Sequence, residues 1–306
     1  MISLTTHPAL KTLEKSFSPS PLSPINDPLL IQHGIELWLK RDDLLHPIIS
    51  GNKWRKLKYS LNDALKLGKD TIISMGGAHS NHLHALAFTG KLLNIKTHGF
   101  IRGEQPEKLT GTLKDLQDWG MQLSYISRSA YRELRHYHDR FSLPGLKPNE
   151  YWLPEGGSSV LALQGVDELV KEIDQPYDLL CAPCGTGATL AGLINATPNN
   201  TSILGFAALK NASFLMNDVN ALLPAPHFNW QINLNYHFGG FAKTKPELFE
   251  FIKRFTEITG IVLEPIYTGK MMYAIYDLIS KHTFTPGKRI IAIHTGGLQG
   301  LRGFNE

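Results

Sequence analysis

A chain of 306 residues, 42% of them apolar and 19% charged, is long enough for one large domain or two modest ones with a real hydrophobic core. The formal net charge of +4 is not gathered into a basic stripe, which argues against nucleic-acid binding. Two cysteines are too few for a disulfide-stapled secreted fold, and no segment has the pattern of a secretory signal or a membrane span. A cytoplasmic protein is therefore expected.

The predicted elements alternate between short apolar runs, typical of buried strands, and amphipathic helical patterns. Residues 1–34 are rich in Ser and Pro and are expected to pack as an irregular arm. The predicted strands that follow are 36–40, 70–75, 97–101 and 123–126 in a first series and 178–182, 202–206, 261–263 and 289–293 in a second, and the predicted helices include 54–69, 245–259 and 270–282. Strands that alternate with helices form parallel sheets covered on both faces, so the predicted fold is α/β, with two sheets flanked by helices in two domains.

Glycine-rich loops follow several predicted strands, at the place where open parallel sheets bind ligands. One of them, Cys184-Gly-Thr-Gly-Ala-Thr189, leads from an apolar strand into a helix. Its backbone N–H groups and the helix N-terminus suit a phosphate, which makes Gly185, Thr186, Gly187, Ala188 and Thr189 candidate ligands. The spacing differs from that of nucleoside-triphosphate and dinucleotide loops, and a tight turn without a ligand is the alternative interpretation.

Lys53 stands where a loop enters a predicted helix, in Ser50-Gly-Asn-Lys-Trp-Arg-Lys56. A lysine at such a place is ordinarily a surface cation. Together with a separate phosphate loop and the polar Ser80-Asn81 loop, however, it suits a cofactor that carries both a phosphate and an aldehyde. An amine that is buried at a helix N-terminus loses its proton readily, which a Schiff base requires.

Other clusters of reactive side chains have simpler interpretations. Cys181-Ala-Pro-Cys184 has the spacing of a redox pair, but Cys181 falls in an apolar strand and is expected to be buried. His79, His82 and His84 do not share one helix face, so polar packing or carboxylate binding is favoured and no metal is predicted. His294 ends the last predicted strand and either flanks a ligand or is a core histidine.

Four motifs resemble those of the 1-aminocyclopropane-1-carboxylate deaminase and D-cysteine desulfhydrase family. They are Lys40-Arg-Asp-Asp43, Ser50-Gly-Asn-Lys-x-Arg-Lys56, Gly76-Gly-x-x-Ser-Asn-His82 and Pro265-x-Tyr-Thr-Gly-Lys270. The resemblance covers most of the chain and implies pyridoxal 5′-phosphate (PLP) as cofactor, with the tryptophan synthase β-like fold called PLP fold type II. A smaller mobile domain, residues 60–165, would be inserted in a larger PLP-binding domain, residues 1–59 and 166–306.

The resemblance also implies roles for the residues of the two N-terminal motifs. Lys53 would hold PLP as a Schiff base and move the α-proton of the substrate. Ser80, Asn81 and His82 would receive the substrate carboxylate, and Asn81 would also hydrogen-bond the ring oxygen of the cofactor. Lys53 and Ser80, with Tyr267 from the last motif, are the catalytic candidates.

In the C-terminal part, the resemblance places Tyr267 beside the substrate and Thr268 at the pyridine nitrogen. The deaminases carry a glutamate at position 268, which keeps that nitrogen protonated for the harder ring opening. Thr268 therefore favours β-elimination from a substrate with a good leaving group, such as a thiol. Phe241, in Phe238-Gly-Gly-Phe-Ala242, stands where the family has a second tyrosine, and this departure leaves the substrate open.

The predicted function is PLP-dependent β-elimination and deamination of a small amino acid, with D-cysteine as the preferred substrate. Two alternatives on the same scaffold are a 1-aminocyclopropane-1-carboxylate deaminase and a β-replacement enzyme. A further alternative is a PLP-binding protein without significant turnover. The expected partner is a small amino acid, with neither nucleic acid nor membrane, and the resemblance implies a homodimer.

Overall fold

The structure is a computed structural model that describes residues 7–49 and 51–304. By their contacts the described residues form two compact units. Within the described residues, the first comprises 7–18, 45–49, 51–165 and 299–304, and the second comprises Pro19–Leu44 and Val166–Leu298. The predicted larger domain, residues 1–59 and 166–306, also includes three segments that pack with the first unit, namely the described parts of 1–18, 45–59 and 299–306. The smaller mobile domain stays a prediction.

Strands and helices are numbered in chain order within the described residues. The strands are β1 Leu22–Pro24, β2 Glu36–Lys40, β3 Thr71–Gly76, β4 Lys96–Arg102, β5 Gln122–Ile126, β6 Glu150–Leu153, β7 Leu179–Cys184, β8 Ser202–Ala207, β9 Trp230–Asn233 and β10 Arg289–Ile293. The helices are α1 Pro8–Glu14, α2 Pro28–His33, α3 Asn52–Lys66, α4 Asn81–Leu93, α5 Gly111–Asp118, α6 Arg128–Leu134, α7 Val160–Lys171, α8 Ala188–Ala196, α9 Leu215–Leu222, α10 Pro246–Thr259 and α11 Thr268–Ser280. None of these described helices is long and apolar enough to cross a membrane.

The first unit is built on a parallel sheet with the strand order β5-β4-β3-β6. Strand β3 is buried at every position after Thr71, as expected for a parallel sheet that is covered on both faces. Helices α3 and α4 contribute Leu57, Leu61 and Leu83 to the core that contains Ile72 of β3. Because the strands are parallel, their carboxyl ends lie at one edge of the sheet, and the β3–α4 loop begins there.

The second unit is built on a six-stranded sheet with the order β1-β2-β10-β7-β8-β9. It is parallel except at its edge, where β1 pairs with β2 in the antiparallel sense. Strand β7 is buried at every position, and α11 packs into the same unit through Met271 and Ile275, which share a core with Leu39. The carboxyl end of β7 leads directly into the predicted phosphate loop.

The predicted fold class, α/β with two helix-flanked sheets, is confirmed, but two local predictions are wrong. The first 34 residues contain α1, β1 and α2 rather than only an irregular arm. Residues 261–263 are not a strand: Ile261 and Leu263 are buried in the core, yet the segment connects α10 to α11 without strand pairing among the described residues. Strands β6 and β9 are present in the structure but are not among the predicted strands.

Candidate active site

Lys53 is the second residue of α3. The helix begins after Gly51, whose φ of 65° and ψ of −149° are accessible to glycine and strained for other residues. Asn52 and Lys53 thus form the first turn, where backbone N–H groups without helical partners produce a partial positive charge. Lys53 is half-buried at this position. Ser50, the first residue of the predicted motif, lies outside the described residues.

A second lysine follows Lys53 by one helical turn. Lys56 is buried, and burial holds the pKa of its amine well below the usual range, which the charge of Lys53 lowers further. Gly165 packs directly on this part of α3, since a Cβ added to it would stand 1.7 Å from the carbonyl oxygen of Arg55. Gly165 therefore helps to fix the helical segment that carries both lysines.

The β3–α4 loop places Ser80 and Asn81 at the N-terminus of α4. Ser80 is the N-cap residue, and its Oγ accepts a hydrogen bond from the backbone N–H of Leu83 at 3.2 Å. The Oδ1 atom of Asn81 accepts a hydrogen bond from Nε2 of Gln299. Gly76 approaches the cap closely, because a Cβ added to it would stand 2.5 Å from Ser80 Oγ. The first-turn N–H groups that precede Leu83 suit a carboxylate or another anion.

The three histidines of this loop have separate surroundings. His82 Nε2 lies 2.9 Å from Ser74 Oγ, whereas His84 Nε2 lies 3.0 Å from the carboxylate of Asp115. Burial holds the pKa of both imidazoles below the usual range, and for His84 the Asp115 carboxylate opposes that shift. His79 is exposed. Within residues 7–49 and 51–304, no group of three or more His, Cys, Asp or Glu residues is arranged to hold a metal ion.

The predicted phosphate loop joins β7 to α8 in the second unit. Gly187 is the N-cap residue of α8 and has a φ of 79°, which favours glycine. A Cβ added to Gly185 would stand 3.0 Å from the ring of Tyr267, which is tighter than an ordinary contact, so a side chain here would displace that ring by a few tenths of an ångström. Gly187 caps the helix without a side-chain hydrogen bond, which leaves the first-turn N–H groups suited to an anion. Thr186 and Thr189 add hydroxyl groups to the same turn.

Tyr267 and Thr268 stand at the start of α11, on a turn held by a buried carboxylate. Glu264 accepts hydrogen bonds from the backbone N–H groups of Ile266 at 2.7 Å, Tyr267 at 3.0 Å and Thr268 at 2.6 Å. The buried hydroxyl of Thr268 donates to the same carboxylate at 3.0 Å. Burial raises the pKa of the Glu264 carboxyl, against the lowering effect of these hydrogen bonds. That Thr268 faces the pyridine nitrogen of the cofactor stays a prediction. To donate a hydrogen bond to that nitrogen, the Thr268 hydroxyl would have to give up, or share, the hydrogen that it donates to Glu264.

Lys270 holds the glycine-rich segment that carries Phe241. Its Nζ donates hydrogen bonds to the carbonyl oxygens of His237 at 2.9 Å and Gly240 at 2.8 Å. Burial lowers the pKa of the Lys270 amine to about 8. The ring of Phe241 stands edge-on to Tyr267, with centroids 6.0 Å apart and an interplanar angle of 64°. An aromatic ring without a hydroxyl therefore borders Tyr267.

His294 and the cysteine pair are structural in the second unit. Nε2 of His294 donates to the carbonyl oxygen of Val262 at 2.8 Å, and Nδ1 accepts from the N–H of Gly296 at 3.2 Å. His294 is fully buried, so it is a core histidine with both ring nitrogens in use. Cys181 and Cys184 are free buried thiols, and burial raises the pKa of Cys184 to about 12, which makes a redox role unsuitable.

The charged motif at the end of β2 is paired within the second unit. Lys40 is buried, with Nζ 2.7 Å from a carboxylate oxygen of Glu172. Arg41 forms an ion pair with Asp43 at 2.7 Å. These residues of the family-like motif therefore stabilise the strand end rather than presenting free charge.

The sequence alone gives no role to Lys56, Glu264 or Lys270. Lys56 and Lys270 belong to the family-like motifs, and their spacing from Lys53 and Tyr267 is the feature that could have indicated them. Glu264 directly precedes the Pro265 motif, but a glutamate at that place gives no sign that it folds back onto the next turn.

The described residues fit PLP by the chemistry of their donors. Within the first unit, the Lys53 amine suits an aldehyde and the helix N-terminus at Ser80 and Asn81 suits a carboxylate. Within the second unit, the loop before α8 suits a phosphate because it ends in a glycine N-cap at the N-terminus of that helix.

The comparisons with known proteins identify the family. The family described as "Pyridoxal-phosphate dependent enzyme" matches residues 16–296. The chain is 31% identical to the bifunctional D-cysteine desulfhydrase/1-aminocyclopropane-1-carboxylate deaminase of Arabidopsis thaliana mitochondria, over 95% of this chain and 79% of that protein. It is 28% identical to the D-cysteine desulfhydrase of Salmonella paratyphi A, over 97% and 96%. A crystal structure of an ACC deaminase homologue matches with a TM-score of 0.79 and 26% identity, over 98% of both chains. The chain therefore belongs to the pyridoxal-phosphate-dependent enzymes, among relatives named as D-cysteine desulfhydrases and 1-aminocyclopropane-1-carboxylate deaminases.

Proposed function

We propose that this enzyme eliminates sulfide from D-cysteine, so that one D-cysteine and one water give pyruvate, hydrogen sulfide and ammonia. The observation that carries the proposal is the turn at the start of α11, where Thr268 is neutral and its hydroxyl bonds to Glu264. The resemblance places a glutamate at position 268 in the deaminases, which need a stronger electron sink. The relatives named as D-cysteine desulfhydrases support this choice of substrate.

PLP, when bound, withdraws electrons from the α-carbon of an amino-acid substrate. The Lys53 amine would hold the cofactor and take the α-proton of the substrate. The Ser80 hydroxyl and the first-turn N–H groups of Asn81 and His82 bind the substrate carboxylate, since a helix N-terminus favours an anion. The Asn81 amide would hydrogen-bond the ring oxygen of the cofactor.

In the second unit, residues 185–189 would hold the cofactor phosphate and Tyr267 would border the substrate. The contact between Gly185 and the Tyr267 ring supports the assignment of both to one site. A thiol has a pKa of roughly 8.5 and is a good leaving group as a thiolate, so β-elimination asks less of the cofactor ring as an electron sink than the opening of a cyclopropane ring does.

A second candidate is the opening of 1-aminocyclopropane-1-carboxylate to 2-oxobutyrate and ammonia. The relatives favour it, because the Arabidopsis protein carries both activities in its name and a Pyrococcus abyssi relative, 31% identical over 98% of both chains, is named a putative deaminase of this kind.

The test is an assay of the purified, PLP-loaded protein with D-cysteine, L-cysteine and 1-aminocyclopropane-1-carboxylate. We expect sulfide and pyruvate in equal amounts from D-cysteine, and neither product from the Lys53→Ala variant. Lys66→Ala is the matched control, because Lys66 is an exposed lysine on the same helix. A preponderance of 2-oxobutyrate from the cyclopropane substrate would establish the second candidate instead. Sulfide without pyruvate, in the presence of a second nucleophile, would indicate β-replacement, and no product at all would indicate a PLP-binding protein.

The proposal includes a homodimer, as the resemblance implies. Light scattering should give twice the chain mass of 34.1 kDa, and a value equal to the chain mass would contradict it.

A further inference from the structure

The last described residues of the chain form a 3₁₀ turn, Leu298–Phe304, and from Gln299 onward they belong to the first unit. Residues 299–304 are called the C-terminal turn below. This turn packs on the β3–α4 loop, because a Cβ added to Gly303 would stand 3.1 Å from Nδ1 of His79. The side chain of Gln299 reaches the start of α4, where its Nε2 donates to Oδ1 of Asn81. A residue from the end of the sequence therefore contacts a candidate cofactor ligand.

The other end of the Gln299 amide is held by two donors. Its Oε1 accepts from the hydroxyl of Thr112 at 2.9 Å and from Nη2 of Arg302 at 3.3 Å. Nη2 of Arg302 also donates to the carboxylate of Asp115 at 2.5 Å. Thr112 is buried, and it belongs with Asp115 to α5. The Gln299 side chain is thus held between α5 and the N-terminus of α4.

The chemistry of these partners fixes the orientation of both side-chain amides. A guanidinium group has only donors, so the Gln299 atom beside Arg302 must be the oxygen and the atom at the other end must be the nitrogen. That nitrogen donates, so the Asn81 atom beside it must be the oxygen Oδ1. Turning over either amide would set two donors against each other. The donor end of Asn81, Nδ2, is therefore the end that Gln299 does not use.

The ion pair that anchors this network keeps its charge at neutral pH. Burial alone would raise the pKa of the Asp115 carboxyl, but hydrogen bonds from Arg302 and His84 hold it below the usual range. Arg302 also donates from Nε to the backbone carbonyl oxygen of Gln299 at 3.4 Å. Asp115 therefore fixes the guanidinium group, which in turn holds Gln299 by its side chain and its backbone.

We propose that Gln299 positions Asn81 so that its amide presents the Nδ2 donor, rather than the oxygen, to the ring oxygen of PLP. An ionised ring oxygen is an acceptor, and a hydrogen bond to it requires a donor. If the Asn81 amide turned over, it would present an oxygen, and two oxygens without a hydrogen between them repel. Gln299 is then a positioning residue in the C-terminal turn. Its role rests on the proposed function of Asn81, whereas the orientation of the Asn81 amide does not.

Two substitutions change the chemistry of Gln299 and keep its length. Gln299→Glu has only acceptors, so Asn81 must turn over to donate to it and then presents Oδ1 to the cofactor. Gln299→Met cannot donate to Asn81, which releases that amide without turning it over. Gln117→Glu is the matched control, because it adds the same charge at an exposed glutamine of α5.

The first measurement is NMR of the cofactor-free protein with ¹³C,¹⁵N-labelled asparagine, in which Asn81→Ser assigns the signals. Compared with wild type, the Asn81 Cγ signal should move upfield in Gln299→Met and Gln299→Glu, because Oδ1 loses its donor. The Nδ2 hydrogens should move downfield in Gln299→Glu alone, since only there does Asn81 donate to a carboxylate. Gln117→Glu should change neither signal. A Cγ signal that stays at its wild-type position in both Gln299 variants would overturn the proposal.

The second measurement is the PLP concentration at which half of the protein carries the cofactor on Lys53, after trapping with borohydride and location by peptide mass. We expect Gln299→Glu to raise that concentration about tenfold or more, because a hydrogen bond to a charged oxygen is lost. Gln299→Met should raise it less, and Gln117→Glu should leave it at the wild-type value. A wild-type value in Gln299→Glu would overturn the proposal.

The Asn81→Ser background separates positioning of Asn81 from a general structural effect. If Gln299 acts through Asn81, adding Gln299→Glu to Asn81→Ser should change the half-capture concentration by less than about twofold. The same increase with and without Asn81 would show that Gln299 acts independently, which overturns the proposal. If the wild type captures no PLP on Lys53, the proposed function fails and the role of Gln299 fails with it. The NMR result still decides the orientation of the Asn81 amide in that case.

Discussion

Substitution of Gly76 with alanine should displace Ser80 while leaving every charge of the site in place. The added Cβ would stand 2.5 Å from Ser80 Oγ, 2.7 Å from Ser80 Cβ and 3.0 Å from Leu83 Cδ1. Ordinary contacts between such atoms are about 3.5–4.0 Å, so the cap residue must move by ~1 Å. Because Gly76 ends a buried strand, the strand itself cannot easily yield.

Two costs follow from this displacement. Overpacking of a core position costs about 1–3 kcal/mol, and weakening of the Ser80 cap of α4 adds about 1 kcal/mol. A misplacement of ~1 Å in a substrate-binding group lowers catalytic efficiency by roughly 100-fold. We therefore expect the free energy of unfolding to fall by about 2–4 kcal/mol. We also expect kcat/KM, measured at low temperature, to fall by more than the unfolded fraction of the variant accounts for.

Gly77→Ala is the matched control one residue along the chain. The nearest neighbour of its added Cβ is Nη2 of Arg102 at 3.8 Å, an ordinary contact. Stability from urea denaturation and the rate of sulfide release should therefore stay close to wild type, within about 0.5 kcal/mol and a few-fold in rate. Equal behaviour of Gly76→Ala and Gly77→Ala would refute the reasoning that close packing under Ser80 positions the substrate carboxylate.

Two further substitutions test the packing and the turn that support the site. Gly165→Ala should force its helix away from the Arg55 carbonyl oxygen, which an added Cβ would meet at 1.7 Å. We expect the free energy of unfolding from urea denaturation to fall by about 1–3 kcal/mol and PLP capture to weaken. Wild-type stability would contradict the contact. Glu264→Ala should leave the buried N–H groups around Tyr267 without an acceptor, and each such group costs about 1–3 kcal/mol of stability. Glu264→Gln should lose less stability, because one side-chain oxygen remains. Equal stability of Glu264→Ala and wild type would show that the carboxylate does not hold the turn.

The two sheets were predictable because their strands are rich in β-branched and apolar residues and recur between helical patterns. The prediction of β2 over 36–40 and β10 over 289–293 matches the structure. The error at 261–263 has a physical reason: three apolar residues mark burial, and both a strand and an irregular core segment satisfy that. Here the chain turns immediately, since Glu264 binds the N–H groups that follow.

The local structure at the candidate site residues was predictable where one short segment determines it. The sequence indicates Lys53 and the loop 185–189 because a helix start and paired glycines are local features. The surroundings of the His82 ring were not predictable. The ring contacts Ser74, whose hydroxyl donates to the carbonyl oxygen of Leu153, and Leu153 lies 79 residues after Ser74. Such contacts are created by the pairing of β3 with β6, a strand that the sequence analysis does not include.

The most direct measurement of the central claim is to load the protein with PLP, reduce it with borohydride and locate the modified lysine by peptide mass spectrometry. We predict one phosphopyridoxyl group on Lys53, together with a visible absorption band that D-cysteine changes. Both should be lost in Lys53→Ala and retained in Lys66→Ala. Modification of another lysine, or a visible band that survives in Lys53→Ala, would contradict the account.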